Sequence, residues 1–300
     1  MVTGAFSYSG SHIAQRLLDA GRQVRTLTSH PGRQHLLQGH VQTLAYRFDD
    51  PVALARSLEG VSTLYNTYWV RFDRGQTTFA NAVEHSRMLF SAAHRAGVER
   101  IVHVSITNPS IDSRLPYFRG KALVEFALAR TGTPYAIVRP TWLFGGQRDV
   151  LVNNIAWILR RLPVFALPGK GAYPVQPVHV DDLARICVEA ATVDDDLVID
   201  AAGPEQMPFA TLVALIQAAV DNHGPVIPLP PVLMAAVARV VGLLLGDVVL
   251  TRDEITGLTS GLLVSQDPPR GQIAFSHWLE QHALSIGSSY ASELDRHFAT

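Results

Sequence analysis

Through the first 140 residues the apolar positions change their period at short intervals. Runs of consecutive or alternating apolar residues at 23–28, 41–46, 61–66, 100–105 and 134–138 read as strands. Between them, segments 11–20, 51–58, 76–96 and 117–130 carry the three-to-four-residue spacing of a helix face. Gly21, Gly60, Gly97 and Gly132 each stand just beyond a helical segment, where a left-handed cap is expected. Strands alternating with helices need crossover connections, so the pattern predicts a doubly wound parallel sheet with helices on both faces.

Beyond residue 140 the rhythm changes. A helical segment at 150–161 is followed by a loop crowded with Pro163, Pro168, Gly169, Gly171, Pro174 and Pro177. Segment 173–180, a helix at 181–191 opened by Asp181 and Asp182, and a short strand at 197–200 are expected to rejoin the sheet, the two carboxylates serving as a helix cap. From residue 203 helical patterns dominate, at 209–220, 232–246, 252–259 and 273–282. The expected division is therefore a nucleotide-binding domain over 1–202 and a smaller, mainly helical substrate lobe over 203–300, with residues 150–173 contributing to the lobe. Segment 232–246 is the most apolar, but it falls short of the roughly 20 residues of a span and carries Arg239 at its centre. It reads as a core or interface helix, and no integral membrane span is expected.

Composition narrows the classes. Of 300 residues, 47% are hydrophobic and 17% charged, which fits a well-buried globular chain. A net charge of -1 gives no footprint for nucleic acid, so the expected partner is a small-molecule substrate, and the oligomeric state is left open. The single Cys187 rules out an internal disulfide framework and suggests a reducing, cytoplasmic compartment. Only two of the 25 basic residues are Lys, which makes each Lys informative. No leader is read ahead of the first turn. Only Met1, Val2 and Thr3 precede Gly4, where a buried parallel strand normally has about five or six residues, so the natural start is expected several residues upstream.

The turn itself is the first chemical signal. Residues 2–13, Val-Thr-Gly-Ala-Phe-Ser-Tyr-Ser-Gly-Ser-His-Ile, place glycines between a trace of strand and an amphipathic helix. Such turns form a Rossmann dinucleotide site: one glycine permits the bend, another lets helix and strand pack closely, and the helix N-terminus faces the pyrophosphate. Ser7 stands where the middle glycine is usual. With Thr3, Gly4, Ala5, Gly10, Ser11 and His12 in register, the stretch resembles the opening of an extended or atypical short-chain dehydrogenase/reductase.

The second signal is Tyr117-Phe118-Arg119-Gly120-Lys121, which sets a Tyr and a Lys on one helix face. The helix follows the strand at 101–105, and ligands of parallel sheets bind beyond the carboxyl ends of the strands. A phenol with a pKa of about 10 is a poor base at neutral pH; a nearby ammonium stabilises its phenolate. Tyr-x-x-x-Lys after a strand bearing Ser or Thr resembles the active-site signature of the short-chain family. The resemblance implies that Tyr117 transfers the proton, Lys121 lowers its pKa and holds the nicotinamide ribose, and a hydroxyl orients the substrate oxygen, with Thr107 first and Ser105 as fallback. Residues 135–141 and 178–182 also resemble the atypical and extended branches. Only nine residues separate Thr107 from Tyr117, a shorter spacing than nucleotide-sugar epimerases of the superfamily usually carry. This favours the NmrA-like and complex-I accessory-subunit-like groups, some of which bind dinucleotide without turnover.

The candidate cofactor set is Gly4, Ser7, Tyr8, Gly10, Thr28, Arg33, Asp49, Asn66 and Lys121. Residues 28–30, Thr-Ser-His, offer no carboxylate for the ribose hydroxyls, and Arg33 follows, so NADP(H) is favoured with NAD(H) possible. The implied activity is hydride transfer between a nicotinamide and a carbonyl or alcohol carbon. The alternatives are a dinucleotide-binding regulatory or accessory protein and an epimerase or dehydratase on a nucleotide sugar. His30, His35 and His40 lack a ligand spacing, so no metal is expected. Tyr68 and Trp69 can line the nicotinamide cleft or pack the core, and Asn153 and Asn154 can face a ligand or solvent.

Overall fold

The computed structural model describes residues 1–32, 34–146 and 149–298. Up to Pro140 the elements are β1 (Val2–Thr3), α1 (Tyr8–Asp19), β2 (Val24–Thr28), β3 (Val41–Ala45), α2 (Pro51–Ser57), β4 (Thr63–Asn66), α3 (Phe79–Arg95), β5 (Arg100–Val104), α4 (Pro116–Ala129) and β6 (Tyr135–Pro140). There follow β7 (Trp142–Phe144), α5 (Leu151–Arg161), β8 (Phe165–Pro168), β9 (Pro174–Val175), β10 (Pro177–His179), α6 (Val180–Ala190) and β11 (Leu197–Ala201). The chain closes with β12 (Met207–Pro208), α7 (Phe209–Ala219), β13 (Val226–Leu229), α8 (Pro231–Leu245), α9 (Arg252–Thr259), α10 (Phe275–His282) and α11 (Glu293–Phe298).

Two compact units result, Met1–Pro140 with Val180–Ala201, and Thr141–His179 with Ala202–Thr300. In the first, a seven-stranded sheet runs in the order β11-β6-β5-β4-β1-β2-β3, parallel throughout. This is the doubly wound Rossmann-type order, and its reversal point lies between β1 and β4. Polar side chains cap two of its helices: Asp50 accepts from the N–H groups of Val52 and Ala53 ahead of Pro51, and Thr78 accepts from Asn81. Leu27, Leu64, Leu89, Phe90, Ile101 and Val124 fill the space between sheet and helices.

The second unit has its own core, with Phe144, Val152, Leu159, Leu212, Ile216 and Phe275 among its buried members. It is mainly helical, with three two-stranded sheets among the described residues, β10-β7, β12-β9 and β13-β8. Of the segments expected to rejoin the large sheet, α6 and β11 do so. Segment 173–180 does not: it breaks at Gln176 into β9 and β10, which pair with β12 and β7. Gln176 is buried and spends its amide on the Gly203 carbonyl and the Ser265 N–H, so it staples that break instead of extending a strand. The second unit draws on residues 141–179, a wider span than the 150–173 read from sequence. Among the described residues no helix is long and apolar enough to cross a membrane.

Candidate functional site

The turn after β1 is built on two glycines and a serine. Gly4 takes a positive φ of 65° and its N–H donates to the Leu27 carbonyl, 2.8 Å away. A Cβ at Gly10 would lie 2.2 Å from the Gly4 carbonyl oxygen, so only glycine lets α1 seat on the turn. Ser7 Oγ packs into the space thus left open, 3.1 Å and 3.0 Å from where Cβ atoms on Gly4 and Gly10 would stand. Ser7 is the N-cap of α1 but its side chain caps nothing, and the first turn, opened by Tyr8, holds no acidic residue. Backbone donors and the positive end of α1 are therefore offered without a competing carboxylate, which is the donor set a dinucleotide pyrophosphate requires.

At the carboxyl end of β4, the Thr3 hydroxyl donates to Asn66 Oδ1 (3.0 Å) and accepts from the N–H groups of Thr67 and Tyr68. Asn66 Nδ2 lies 3.1 Å from His103 Nδ1 on β5. Asn66 is wholly buried, which differs from the expected cofactor contact: its amide is consumed in bracing the β4 loop. Burial, and then the Lys121 charge, push the His103 imidazole well below its usual pKa, so the ring is neutral, with Nε2 lacking a hydrogen-bond partner among the described residues.

Tyr117 and Lys121 share one face of α4, directly after β5. Lys121 is 3% exposed, and its Nζ donates to the carbonyl of Val104 at 2.9 Å. Desolvation pushes its pKa down to about 7, against the upward pull of Glu125. The β4 loop lays Trp69 over this pair, its ring 4.7 Å from Lys121 Nζ and edge-on to Tyr117 at 5.9 Å. Gly120 permits that approach, since a Cβ there would meet the Trp69 ring at 2.8 Å. Sequence reasoning left Trp69 between cleft and core; a glycine beside the Lys of the helix was the signal that a ring closes there.

The line of β5 continues past Val104, for the N–H groups of Ser105 and Thr107 donate to Val138 and Pro140. Their hydroxyls differ from expectation. Ser105 donates to Glu125, which also receives Arg139 through both carboxylate oxygens, and Thr107, fully buried, donates to Asp200 Oδ2 at 3.1 Å. Carboxylates therefore hold both hydroxyl protons that the substrate oxygen was expected to receive.

Thr28 ends β2 buried, its hydroxyl accepting from the His30 N–H. Arg33 lies outside the described residues. Asp49 is exposed beside Arg47, and the neighbouring Asp50 takes the capping role. Asp181 is not a cap: it lies inside α6 and meets His12 of α1, while Asp182 pairs with Arg185. Asn153 and Asn154 bind backbone groups of residues 287, 289 and 291, which pins the C-terminal segment. Among the described residues no group of three or more His, Cys, Asp or Glu could hold a metal ion.

A family profile described as NAD(P)H-binding matches residues 4–154, half of the chain. The chain belongs to this NAD(P)H-binding family. The relatives it matches are consistent with the atypical short-chain dehydrogenase/reductase branch that the sequence resembles. The photosystem II assembly factor Ycf39 of Cyanidium caldarium is 24% identical over 305 residues, which cover 99% of this chain and 93% of that protein. Subunit 9 of the mitochondrial NADH dehydrogenase (ubiquinone) 1 alpha subcomplex of Rattus norvegicus is 28% identical over 188 residues, 61% of this chain and 49% of that one. The NADP(H) complex of Citrobacter sp. triphenylmethane reductase shares the fold with a TM-score of 0.78 and 17% identity, over 94% of this chain and 99% of that one. The NADPH-dependent quinone oxidoreductase of Escherichia coli does so at 0.75 and 19%, over 94% and 97%. In this NAD(P)H-binding chain the glycine turn and α4 thus lie on a fold found in NADP(H)-complexed reductases.

Proposed function

We propose that the chain is an NADP(H)-preferring oxidoreductase that moves hydride between the nicotinamide and a carbonyl or alcohol carbon. The observation that carries the reading is Tyr117 on the same helix face as a buried Lys121 whose pKa is brought to about 7, at the carboxyl end of β5. When bound, the dinucleotide supplies or accepts the hydride. Tyr117 gives its phenolic proton to the substrate oxygen in reduction and takes it back in oxidation. Lys121, fixed on the Val104 carbonyl, sets the field that eases loss of that proton. Trp69 packs against both side chains and helps to bury Lys121. Gly4, Ser7, Tyr8 and Gly10 form the pyrophosphate turn, and the absence of a carboxylate at residues 28–30, with Arg33 following, supports NADP(H) over NAD(H).

A second reading, a dinucleotide-holding accessory protein without turnover, is favoured by the internal commitment of Ser105, Thr107 and Lys121. Native mass spectrometry of the purified chain, followed by assay of a quinone, aldehyde and ketone panel with NADPH and NADH, separates the two. Turnover by the parent chain that Tyr117→Phe removes supports the oxidoreductase. Bound dinucleotide with no turnover of any substrate, and no effect of Tyr117→Phe, would establish the accessory reading.

A further inference from the structure

The orientation of the Asn66 amide is fixed by its neighbours. Its Oδ1 accepts from the Tyr68 N–H, which can only donate, and from the Thr3 hydroxyl, so Nδ2 is the atom that faces His103 Nδ1 at 3.1 Å. Nδ1 must then accept, and the neutral His103 ring carries its proton on Nε2. That N–H is buried and has no hydrogen-bond partner among the described residues. Asn66 and His103 pair in register two residues beyond Leu64 and Ile101, on the sheet face where those two pack with Val124 and Leu128 of α4. A crossover helix runs antiparallel to the strands it joins, so Lys121, one turn ahead of Val124 on α4, comes level with His103. The Lys121 Nζ bonds the carbonyl of the very next residue, Val104, and its charge acts on the ring.

We infer that Asn66 and His103 are positioning residues for Lys121: Asn66 holds the imidazole with its Nε2–H set against the ammonium, so that the ring cannot accept a hydrogen bond from it. Two donors then face each other. The opposite tautomer would offer Nε2 as an acceptor and hold the charge in place, whereas this one leaves Nζ to the Val104 carbonyl. Of the other ionisable groups, Glu125 and Tyr117 share the helix of Lys121, and Arg139 of β6 is bound by Glu125. Those of α3 turn elsewhere, His85 to Tyr68 and Glu84 to Arg87. The outcome is a lysine that changes protonation state near neutral pH beside Tyr117, the residue that must gain and lose a proton. This role deepens the assignment of Tyr117 and Lys121 to proton transfer, yet it belongs to the resting chain and requires no turnover, so either can fail without the other.

Nuclear magnetic resonance of the full chain tests this. Lysine isotopically labelled at Cε gives two signals, Lys121 and Lys170, which Lys170→Arg tells apart. The nitrogen-labelled His103 ring, assigned by its loss in His103→Leu, should show a bare Nδ1 and a protonated Nε2 from about pH 6 to 9. The Lys121 signal should titrate about one pH unit higher in His103→Leu, where the opposing donor is gone. The same rise is expected in Asn66→Ala, where the freed ring should move its proton to Nδ1 and accept from Nζ. A ring that only packs predicts no rise in His103→Leu, since leucine solvates an ammonium no better than the ring did. A parent ring that is charged, or bare at Nε2, overturns the proposal even where a variant does not fold. So does a Lys121 midpoint that stays or falls in His103→Leu, or an Asn66→Ala ring that keeps its proton on Nε2.

Discussion

Lys121 Nζ donates to the carbonyl of Val104 from a site closed to water, 2.9 Å away and beneath the Trp69 ring. One hydrogen bond and one ring do not replace the hydration of an ammonium, which is why its pKa falls to about 7 from 10.5. The unfolded chain holds that proton more tightly, so stability rises with pH between about 7 and 10.5 and the full penalty applies below 7. Lys121→Met should therefore stabilise the fold at neutral pH by several kcal/mol, on the order of 4 before the lost hydrogen bond is subtracted. The difference in melting temperature between variant and parent should shrink as pH is raised towards 10. An equal or lower melting temperature at pH 7 would mean that the ammonium is not desolvated.

Removal of the Tyr117 hydroxyl tests the chemistry and not the fold. The ring packs edge-on against Trp69, Phe79 and Phe118, contacts that phenylalanine keeps. Tyr117→Phe should lower kcat by about a hundredfold or more while the dinucleotide Kd is unchanged. Ser105→Ala and Thr107→Ala should act mainly on stability, because both hydroxyls bind carboxylates of the same unit. A hundredfold loss of kcat in Thr107→Ala, with its melting temperature intact, would restore the substrate-orienting role to that hydroxyl.

Gly10→Ala addresses the turn. Its Cβ would meet the Gly4 carbonyl at 2.2 Å, a backbone obstacle that no side-chain rotation relieves. The start of α1 must shift, and the N–H groups of its first turn move with it. Loss of NADPH affinity by about tenfold or more is expected, with destabilisation of about 2 kcal/mol. Isothermal titration and thermal melts measure both; an unchanged Kd would show that the turn does not hold the dinucleotide.

The strand and helix pattern of the first unit was legible where an element is long enough to show its period, as α3 is, whereas the two-residue β1 was legible only from the glycine turn that follows it. Gly4 and Gly10 were legible for a different reason: Gly4 sits at a positive φ that favours glycine, and at Gly10 a Cβ would collide with the Gly4 carbonyl. The fates of Asn66, Ser105 and Thr107 were not, because a polar residue at a strand end looks alike whether it faces a ligand or a buried neighbour. Glu125, Asp200 and His103, the partners that decide, come from other elements and carry no local signature. Likewise β7, β8, β12 and β13 are too short for periodicity to detect.

Glu125 joins three elements at the site: its carboxylate receives Ser105 beyond β5, and Arg139 of β6 through Nε and Nη2. It also raises the pKa of Lys121 one helical turn away. Glu125→Gln keeps the shape but removes the charge, and with it the ion pair to the partly buried Arg139 guanidinium. The expected cost is about 2–3 kcal/mol, below the 3–5 typical of a fully buried pair because Arg139 retains some exposure to water. Ser105→Ala deletes only one bond to the same group and should cost less. The second consequence is specific to the site: without Glu125 the Lys121 pKa falls further, so the window in which stability rises with pH should extend to lower pH. Denaturant melts of parent, Glu125→Gln and the Glu125→Gln/Lys121→Met double variant, taken from pH 6 to 10, read this directly. If the pH dependence of Glu125→Gln matches that of the parent, the two side chains are not coupled and Glu125 is a brace alone.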